Sequence, residues 1–341
     1  MENNPLGLDG IDFVEFSSAD PAALHKLFVD FGFSKVAGHR KKGIDLYQQG
    51  EIKFHLNREP GSFAEQFHKL HGPCISAMGW RFKNARAAFE MAISRGARPY
   101  DKGDYQLPNG ENVPAIYGIG DSLIYFIDSE TDLGFMPLQD PVKVPDKGFI
   151  AIDHLTNNVY KGTMEEWAAF YKNVFGFTEI RYFDIKGQKT GLTSYALRSP
   201  CGKFCIPINE ADEAKSQINE YLEEYKGPGV QHLAFLTRDL LGSLAKLKGT
   251  SIETLDTSPG YYEKAFTRVP TLKEDKKLIQ EYNVLVDGDE NGYLLQIFTK
   301  NLVGPIFIEL IQRENHYSFG EGNFQALFDS IERDQMKRGV L

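Results

Sequence analysis

The chain contains two pairs of related segments, and this internal repeat sets the number and kind of its structural units. Residues 10–33 and residues 151–177 each open with Ile-Asp in a short alternating run, continue into an amphipathic pattern and close on Phe-Gly-Phe. Alternation predicts a strand, and apolar residues three and four apart predict a helix. Each segment is therefore predicted to form a strand followed by a helix.

The two predicted helices carry start signals. In the first segment Asp20 precedes Pro21, which is the order expected of a capping side chain and a proline at the first helical position. In the second segment Thr163 and Glu166 have the spacing of a capping box. We expect both helices to begin at these residues.

A second pair of segments, residues 71–101 and 226–256, shares a Gly-Pro, a strand pattern, a turn and a helix pattern. The 341 residues thus hold four modules, two in each half, and residues 138–148 have the Pro and Lys content of a linker. We predict an α+β fold of two domains, residues 1–140 and 150–341. In each domain, paired βαβββ modules are expected to form a curved mixed sheet around a cup.

Aligning the two halves exposes three positions where only the second half carries a metal-binding side chain. The aligned pairs are His154 with Phe13, His232 with Ala77 and Glu309 with Tyr125. Two imidazoles and one carboxylate on one side of a metal leave three positions free, as in non-haem Fe(II) oxygenases, whereas catalytic zinc usually keeps one. The trio favours iron, with zinc and manganese as open alternatives, and the first domain is predicted to be degenerate, without metal ligands.

Each member of the trio also has an ordinary structural interpretation. A histidine on a strand is commonly a hydrogen-bonded core residue. A buried carboxylate is costly without a nearby cation, and Arg313 lies four residues beyond Glu309 on the same face of the strand. An ion pair between Glu309 and Arg313 is therefore the alternative to metal binding on this strand.

Composition argues against several other classes of function. The chain has 47 Asp and Glu against 38 Lys and Arg, and it contains no basic run that would follow a phosphate backbone. No stretch approaches the roughly 18 apolar residues that cross a bilayer, and the first residues lack a signal-peptide pattern. We expect no nucleic-acid or membrane partner and a cytoplasmic location.

Side-chain alternation predicts which residues share the interior of the cup with the trio, because residues two apart on a strand face the same way. By this rule the interior also holds Ser194, Pro207, Asn209, Gln296, Phe298 and Phe307. Gln231 is adjacent to His232 and is expected to point to the opposite face, unless the strand twists there.

The second half also carries a series of longer motifs. They are IDHLTNNV (152–159), PINE (207–210) with KSQI downstream (215–218), GVQHLAFLTRD (229–239), LLQIFTK (294–300), PIFIELIQR (305–313) and FGEGNFQALFDSIERDQ (319–335). In residues and in order, they resemble the 4-hydroxyphenylpyruvate dioxygenase family of the vicinal oxygen chelate superfamily. The first half resembles this family mainly through its layout.

The resemblance implies a set of site residues. The implied ligands of an Fe(II) ion are His154, His232 and Glu309. The implied substrate-binding residues are Ser194, Pro207, Asn209, Gln217, Gln231, Gln296, Phe298, Phe307, Phe319, Asn323, Phe324 and Leu327. Among these, the polar residues proposed to act in catalysis are Ser194, Asn209, Gln231 and Gln296. Phe298 and Phe324 are expected to clamp the substrate's ring.

The resemblance also implies a reaction. The family's enzymes convert 4-hydroxyphenylpyruvate and O2 to homogentisate and CO2, in tyrosine and phenylalanine catabolism. The substrate's own 2-oxo acid group would bind the metal through its carboxylate and keto oxygens, so that no separate 2-oxoglutarate is needed. The protein's task is then to orient the substrate and exclude water. The resemblance further implies a homo-oligomer.

The end of the chain predicts a helix next to the cup. Apolar residues at helical spacing form one stripe, namely Phe324, Leu327, Phe328 and Ile331. Asn323 is the expected cap, and Gly320 and Gly322 precede it as a hinge. A lid that closes the cup is one hypothesis, and a fixed helix packed on the core is the other.

Three rival functions share parts of this pattern. A 4-hydroxymandelate synthase uses the same substrate and ligands but hydroxylates the side chain; Pro207, Phe307 and Phe324 favour ring hydroxylation by resemblance. An extradiol catechol dioxygenase shares the ligand types and the degenerate first domain but would lack the FGEGNF tail. A metal-free binding protein on this fold would show no iron dependence and would tolerate substitution of the histidines.

Overall fold

The computed structural model describes residues 3–186, 191–211, 216–258 and 260–339, except the side chains of 181–186 and of some residues in the last helix, including Phe324 and Phe328. The described residues form the predicted α+β fold. The strands are β1 (Leu8–Ser17), β2 (Ser34–His39), β3 (Ile44–Gln49), β4 (Ile52–Asn57), β5 (Cys74–Phe82), β6 (Pro99–Tyr100), β7 (Ala115–Tyr117), β8 (Leu123–Ile127), β9 (Phe135–Val142), β10 (Phe149–Asn158), β11 (Thr178–Lys186), β12 (Gly191–Arg198), β13 (Cys205–Ala211), β14 (Gly229–Thr237), β15 (Leu285–Gly288), β16 (Tyr293–Phe298) and β17 (Phe307–Glu314). The helices are α1 (Pro21–Asp30), α2 (Phe63–His71), α3 (Ala85–Ser94), α4 (Met164–Phe170, continued by a π-helical turn, Tyr171–Phe175), α5 (Gln217–Tyr225), α6 (Leu240–Leu247), α7 (Tyr261–Arg268), α8 (Lys276–Glu281) and α9 (Glu321–Arg338), with a 3₁₀ turn at Ile119–Asp121.

Within this part of the chain each half builds one mixed sheet. The strand order is β6-β7-β8-β5-β1-β4-β3-β2-β9 in the first half and β11-β12-β13-β10-β14-β17-β16-β15 in the second. β1 and β4, β5 and β8, β10 and β13, and β14 and β17 pair in parallel. The two modules of each half meet at an antiparallel pair, β1 with β5 and β10 with β14. The paired-module prediction is therefore confirmed.

The strand registers confirm the alignment of the two halves. Phe13 lies opposite Gly79 just as His154 lies opposite Ala234. Ala77 lies opposite Leu123 just as His232 lies opposite Phe307. Gly79 lies opposite Tyr125 just as Ala234 lies opposite Glu309. His154, His232 and Glu309 thus occupy the same strand positions as Phe13, Ala77 and Tyr125.

The central strand pair of each half also contains the same two bulges. The register of β1 with β5 shifts at Asp12 and at Ser76, and the register of β10 with β14 shifts at the equivalent residues Asp153 and Gln231. A bulge adds one residue to one strand and turns the neighbouring side chains away from strict alternation. Simple two-residue parity therefore fails at these four positions.

Both predicted helix starts are correct, since α1 begins at Pro21 and α4 at Met164, directly after Thr163, but only α1 has the predicted side-chain cap. Asp20 accepts a hydrogen bond from the backbone N–H of Ala23, with a proline at the first helical position of α1. The capping box at Thr163 is wrong, because its backbone is already helical and its hydroxyl donates to a carbonyl of the preceding turn. Glu210 on β13 accepts hydrogen bonds from N–H groups at the start of α4 instead.

The predicted linker is shorter than expected. Residues 138–142 belong to β9, which pairs with β2 at the edge of the first sheet. An edge strand tolerates proline because one row of its N–H groups needs no partner in the sheet. Residues 143–148 connect the two sheets.

The two halves share one apolar core. Phe31 and Phe33, which follow the end of α1, pack against Phe235 of β14. Their ring centroids lie 5.6 and 5.8 Å, respectively, from that of Phe235. Trp80 of β5 packs against Phe175 at 4.9 Å. The sheet of the second half is therefore supported by side chains of the first half.

The last helix begins before the residue predicted to cap it. α9 starts at Glu321, with Gly320 at the cap position and φ of 78°. A side chain at Gly320 would meet the amide of Gln296, since an added Cβ atom would lie 1.9 Å from Oε1 of that residue. Asn323 therefore lies inside the first turn, and the prediction that it caps the helix is wrong. None of the described helices combines the length and apolar composition needed to span a bilayer.

Candidate metal centre and substrate cavity

Three neighbouring strands of the second sheet bring His154, His232 and Glu309 together. Their exposed fractions are 3%, 7% and 2%. Oε2 of Glu309 lies 3.0 Å from Nε2 of His154 and 3.3 Å from Nε2 of His232, and the two Nε2 atoms are 3.3 Å apart. All three donor atoms lie within 4.8 Å of one another. Because β10, β14 and β17 are adjacent, residues far apart in sequence meet on one face of the sheet.

Each histidine is oriented by the residue that precedes it. Nδ1 of His154 lies 2.8 Å from Oδ2 of Asp153, and Nδ1 of His232 lies 3.0 Å from Oε1 of Gln231. An acceptor at Nδ1 leaves Nε2 to bind a metal. Asp153 and Gln231 are both bulge residues, which lets consecutive side chains interact. The expectation that Gln231 points away from the site is wrong for this reason.

The charges of the trio favour an ionised carboxylate. Burial by itself acts to lower the pKa of His154 and to raise that of Glu309, but their mutual attraction dominates. It raises the pKa of His154 to about 9 and lowers the pKa of Glu309 to about 2. Burial lowers the pKa of His232. A metal cation that displaced the proton of His154 would leave one carboxylate and two neutral imidazoles, which are the forms that bind metals.

The donor set fits a divalent metal with open coordination positions. Across the described ranges, this is the one group of three His, Cys, Asp or Glu side chains whose donor atoms converge in this way. Two imidazole nitrogens and one carboxylate suit iron, zinc or related first-row metals. The second carboxylate oxygen, Oε1, accepts a hydrogen bond of 3.0 Å from Gln296. The orientation of Glu309 is thereby fixed by a neighbouring strand.

A cavity lies against the three donors. Besides the trio, the predicted site residues that line it are Ser194, Pro207, Asn209, Gln217, Gln231, Gln296, Phe298, Phe307, Phe319 and Leu327. The structure therefore brings most of the predicted residues to one cavity. Asn323 is not among the lining residues, and the side chain of Phe324 lies outside the described part of the structure.

Three further residues line the cavity: Thr156, Leu192 and Ile331. Strand parity could have found the first two, since Thr156 is two residues from His154 and Leu192 is two residues from Ser194. Helical spacing already placed Ile331 on the apolar stripe of α9. The hydroxyl of Thr156 lies 3.1 Å from Nε2 of His232.

A hydrogen-bond chain connects the metal centre to α9. Gln296 donates to Glu309, and Oε1 of Gln296 accepts a hydrogen bond of 2.8 Å from the Asn323 amide. The side-chain oxygen of Asn323 in turn accepts hydrogen bonds from Tyr261 and Arg268. Asn323 therefore contacts the site through Gln296 rather than from the cavity wall.

Arg313 does not pair with Glu309 directly. Its guanidinium donates two hydrogen bonds to Asp153, from Nε at 2.7 Å and from Nη2 at 2.8 Å. Glu309 instead contacts His154, His232 and Gln296. The alternative prediction, an ion pair between Glu309 and Arg313, is therefore wrong. Burial acts to raise the pKa of Asp153, but the charge and hydrogen bonds of Arg313 hold this pKa well below its usual range.

Both halves of the chain match known protein families. A family model described as hydroxyphenylpyruvate dioxygenase, N-terminal, matches residues 2–136, and one described as the glyoxalase/bleomycin resistance protein/dioxygenase superfamily matches residues 151–297. Protein MelA of Shewanella colwelliana is 58% identical over 100% of this chain and 99% of its own length. The 4-hydroxyphenylpyruvate dioxygenase of Legionella pneumophila subsp. pneumophila is 46% identical over 100% of this chain and 99% of its own.

The fold recurs in solved structures. A mutant of 4-hydroxymandelate synthase from Streptomyces coelicolor superposes with a TM-score of 0.84 at 24% identity, over 96% of this chain and 99% of that one. At this identity the likeness shows the fold alone. Together with the superfamily match, it confirms the predicted vicinal oxygen chelate architecture.

Proposed function

The chain belongs to the 4-hydroxyphenylpyruvate dioxygenase family, and we propose that it is an Fe(II)-dependent enzyme that converts 4-hydroxyphenylpyruvate and O2 to homogentisate and CO2. One oxygen atom of O2 enters the new carboxylate and the other enters the ring, while the substrate's own carboxyl group leaves as CO2. The side chain migrates to the neighbouring ring carbon. Atoms balance without a second organic substrate.

One observation carries this proposal beyond family membership. The donor atoms of His154, His232 and Glu309 converge within 4.8 Å on the wall of a cavity lined by aromatic and polar side chains. Concave sites lined by apolar and aromatic side chains with a few convergent polar groups are typical binding sites for small organic ligands. A two-histidine, one-carboxylate set leaves open positions for a chelating 2-oxo acid and for O2. Iron is our choice among the metals that this donor set accepts.

The proposed roles of the protein side chains are binding, orientation and exclusion of water. Fe(II) bound by the trio would supply the redox chemistry through which O2 reacts with the organic substrate. Asp153 and Gln231 hold each imidazole with Nε2 toward the donors' common centre. Gln296 keeps the carboxylate of Glu309 in place. The substrate's 2-oxo acid end would lie at this wall of the cavity.

The remainder of the cavity matches an aromatic acid with a polar end. The rings of Phe298 and Phe307 lie 6.1 Å apart and close to His232. We propose that Phe298, with Phe324, packs against the substrate's ring. Ser194 and Asn209 face each other across β12 and β13 and offer polar contacts to its hydroxyl group. Burial of the ring excludes water from the reacting atoms.

Several further properties are part of the proposal. Residues 150–341 would form the catalytic domain and residues 1–140 a degenerate domain without metal ligands. The activity would belong to tyrosine and phenylalanine catabolism in the cytoplasm, and the chain would act as a homo-oligomer. These properties are supported by family resemblance.

Oxygen consumption with product identification tests the proposed function. The protein, loaded with Fe(II) under anaerobic conditions, is mixed with 4-hydroxyphenylpyruvate and O2, and the aromatic product is identified by mass spectrometry. We expect stoichiometric homogentisate. His232→Ala should lose iron binding and activity together, because one of three ligands is removed. Formation of 4-hydroxymandelate, or oxygen uptake independent of the histidines, would replace this proposal with a rival function.

A further inference from the structure

Arg313 makes a two-point ion pair inside the second half. Its Nε and Nη2 atoms donate to the two carboxylate oxygens of Asp153 at 2.7 and 2.8 Å, and both side chains are 12% exposed. Bidentate geometry restrains the carboxylate more strongly than a single contact, because both oxygens are held in one plane. The position of the Asp153 side chain is therefore set by Arg313.

Asp153 passes this restraint to a proposed metal ligand. Oδ2 of Asp153, which accepts from Arg313, also lies 2.8 Å from Nδ1 of His154. The bulge at Asp153 places the carboxylate beside the imidazole of the next residue. A fixed acceptor at Nδ1 determines both the tautomer and the rotation of the His154 ring.

The same guanidinium also holds the segment that leads into α9. Nη1 of Arg313 donates to the carbonyl oxygens of His316 and Ser318, at 3.1 and 2.6 Å. The next residue is Phe319, a cavity-lining residue whose ring packs edge-on against His154 with centroids 5.5 Å apart. Arg313 thus contacts the orienting group of a metal ligand and the backbone before a cavity wall residue.

The first half offers a natural comparison. Asp12 occupies the bulge that corresponds to Asp153 and precedes Phe13, which stands in the position of His154. Its cation partners are Lys53 at 3.1 Å and Arg81 at 3.7 Å, which are 32% and 34% exposed. The half without metal ligands therefore keeps the bulged aspartate, but its ion pairs are single contacts and more exposed.

We propose that Asp153 and Arg313 are positioning residues of the metal centre: Asp153 fixes the His154 ring, and Arg313 fixes both Asp153 and the segment before Phe319. Metal affinity and substrate binding therefore depend on one guanidinium. This inference rests on the proposed metal site. It assigns Arg313 two separable effects, one through Asp153 and one through the carbonyls of residues 316 and 318.

The test compares two substitutions with a matched control. Asp153→Asn keeps an oxygen near His154 but removes the carboxylate that Arg313 holds, while Arg313→Lys keeps the charge and removes the bidentate contact. Asp12→Asn makes the same chemical change as Asp153→Asn at the equivalent bulge of the first half. Fe(II) affinity is measured anaerobically by competition with a colorimetric chelator, and the melting temperature of each metal-free protein is recorded alongside.

We expect both second-half variants to bind Fe(II) about 10- to 100-fold more weakly than the wild type, as is usual when the partner of a metal-bound imidazole is lost. Asp12→Asn should bind Fe(II) like the wild type. Arg313→Lys should also raise KM for 4-hydroxyphenylpyruvate more than Asp153→Asn does, because only the former removes the guanidinium that restrains the segment before Phe319.

Each outcome separates the inference from the proposed function. If the wild type binds no Fe(II), the proposed function fails. If the wild type binds Fe(II) and turns over, but both variants retain wild-type affinity, only the positioning inference is overturned. A lowered melting temperature with unchanged Fe(II) affinity would indicate a purely structural ion pair, and it would likewise overturn only the positioning inference. Should Asp153→Asn fail to fold, Arg313→Lys decides the question.

Discussion

At the scale of single residues, the two halves differ most in what fills the cup. Glu15 of the first half corresponds in register to Thr156 of the second and is fully buried. It accepts hydrogen bonds from Tyr105 at 2.6 Å and Ser76 at 2.8 Å. Phe13, which stands in the position of His154, stacks on His55 with ring centroids 3.9 Å apart. Aromatic rings and the buried Glu15 thus take the place of the metal trio.

Glu15 should make folding stability depend on pH. Burial, followed by the nearby charge of Asp104, raises the pKa of Glu15 to about 7 from 4.5. A group with a raised folded-state pKa stabilises fully below its unfolded value and loses this contribution as pH rises through the folded value. Between pH 4.5 and 7 the wild type should therefore lose up to about 3 kcal/mol from this residue. Urea unfolding of Glu15→Gln at a series of pH values should show this loss removed.

A matched substitution controls for the loss of one charge. Glu90 is exposed on α3, so Glu90→Gln should leave the wild-type pH dependence in place. An identical pH dependence in Glu15→Gln and the wild type would contradict the assignment of the effect to Glu15.

At the scale of secondary-structure elements, α9 forms one side of the cavity. Leu327 and Ile331 line it, and Asn323 connects the helix to the metal centre through Gln296. Ser330 donates a hydrogen bond of 2.8 Å to the carbonyl oxygen of Asp256. These contacts fit both a lid in its closed position and a fixed helix, so the lid hypothesis stays a prediction.

Removing α9 should separate metal binding from turnover. A chain that ends after Gly320 keeps the three ligands and the contacts of Arg313, but it exposes the cavity to water and loses the hydrogen bond to Gln296. We expect turnover of 4-hydroxyphenylpyruvate to be lost while Fe(II) still binds, as measured by oxygen uptake and chelator competition. A chain ending after Gly339 keeps the helix and should retain activity. Full turnover without α9 would rule out any role for the helix in catalysis.

At the scale of the whole molecule, the two halves pack against each other through a common core. Buried side chains of both halves belong to one continuous apolar cluster. Trp80 of the first half is fully buried against aromatic residues of the second. A ligand that binds only the second half should therefore also stabilise the first.

Metal removal should lower the melting temperature of the entire chain. At a free Fe(II) concentration about 100 times Kd, binding to the folded state alone adds about 2.7 kcal/mol of stability. In the Trp167→Phe variant, Trp80 is the remaining tryptophan and reports on the first half. We expect its fluorescence transition to shift upward with Fe(II), measured anaerobically. Two separate transitions, of which only that of the second half responds to Fe(II), would contradict the shared core.

His232→Ala provides the control for this measurement. Loss of one ligand should abolish the Fe(II)-dependent shift of the Trp80 signal. A shift that persists in this variant would indicate that Fe(II) stabilises the chain at another place.

Much of the architecture was accessible from local patterns. The strands around Ser194, Asn209, Gln296 and Glu309 follow alternation, and α1 follows its cap, because backbone hydrogen bonding and burial of one face act over a few residues. The repeat predicted which strands are equivalent. The start of α4 was predicted correctly, but its capping box was wrong, because N–H groups there are satisfied by Glu210 of another strand, a contact that no local pattern contains.

Local patterns and the internal repeat were enough to predict the α+β modules and the positions at which only the second half carries two histidines and a glutamate. The partners of these residues emerge only in the folded chain: Arg313 bonds to Asp153 rather than Glu309, and Gln231 turns toward His232. A bulge forms only when a strand pairs with a neighbour, so the side-chain direction at Gln231 depends on that pairing. A buried charge needs an opposite charge close to it in space, and for Arg313 that charge is Asp153 on another strand. Neither pairing is encoded in the spacing of residues along one strand.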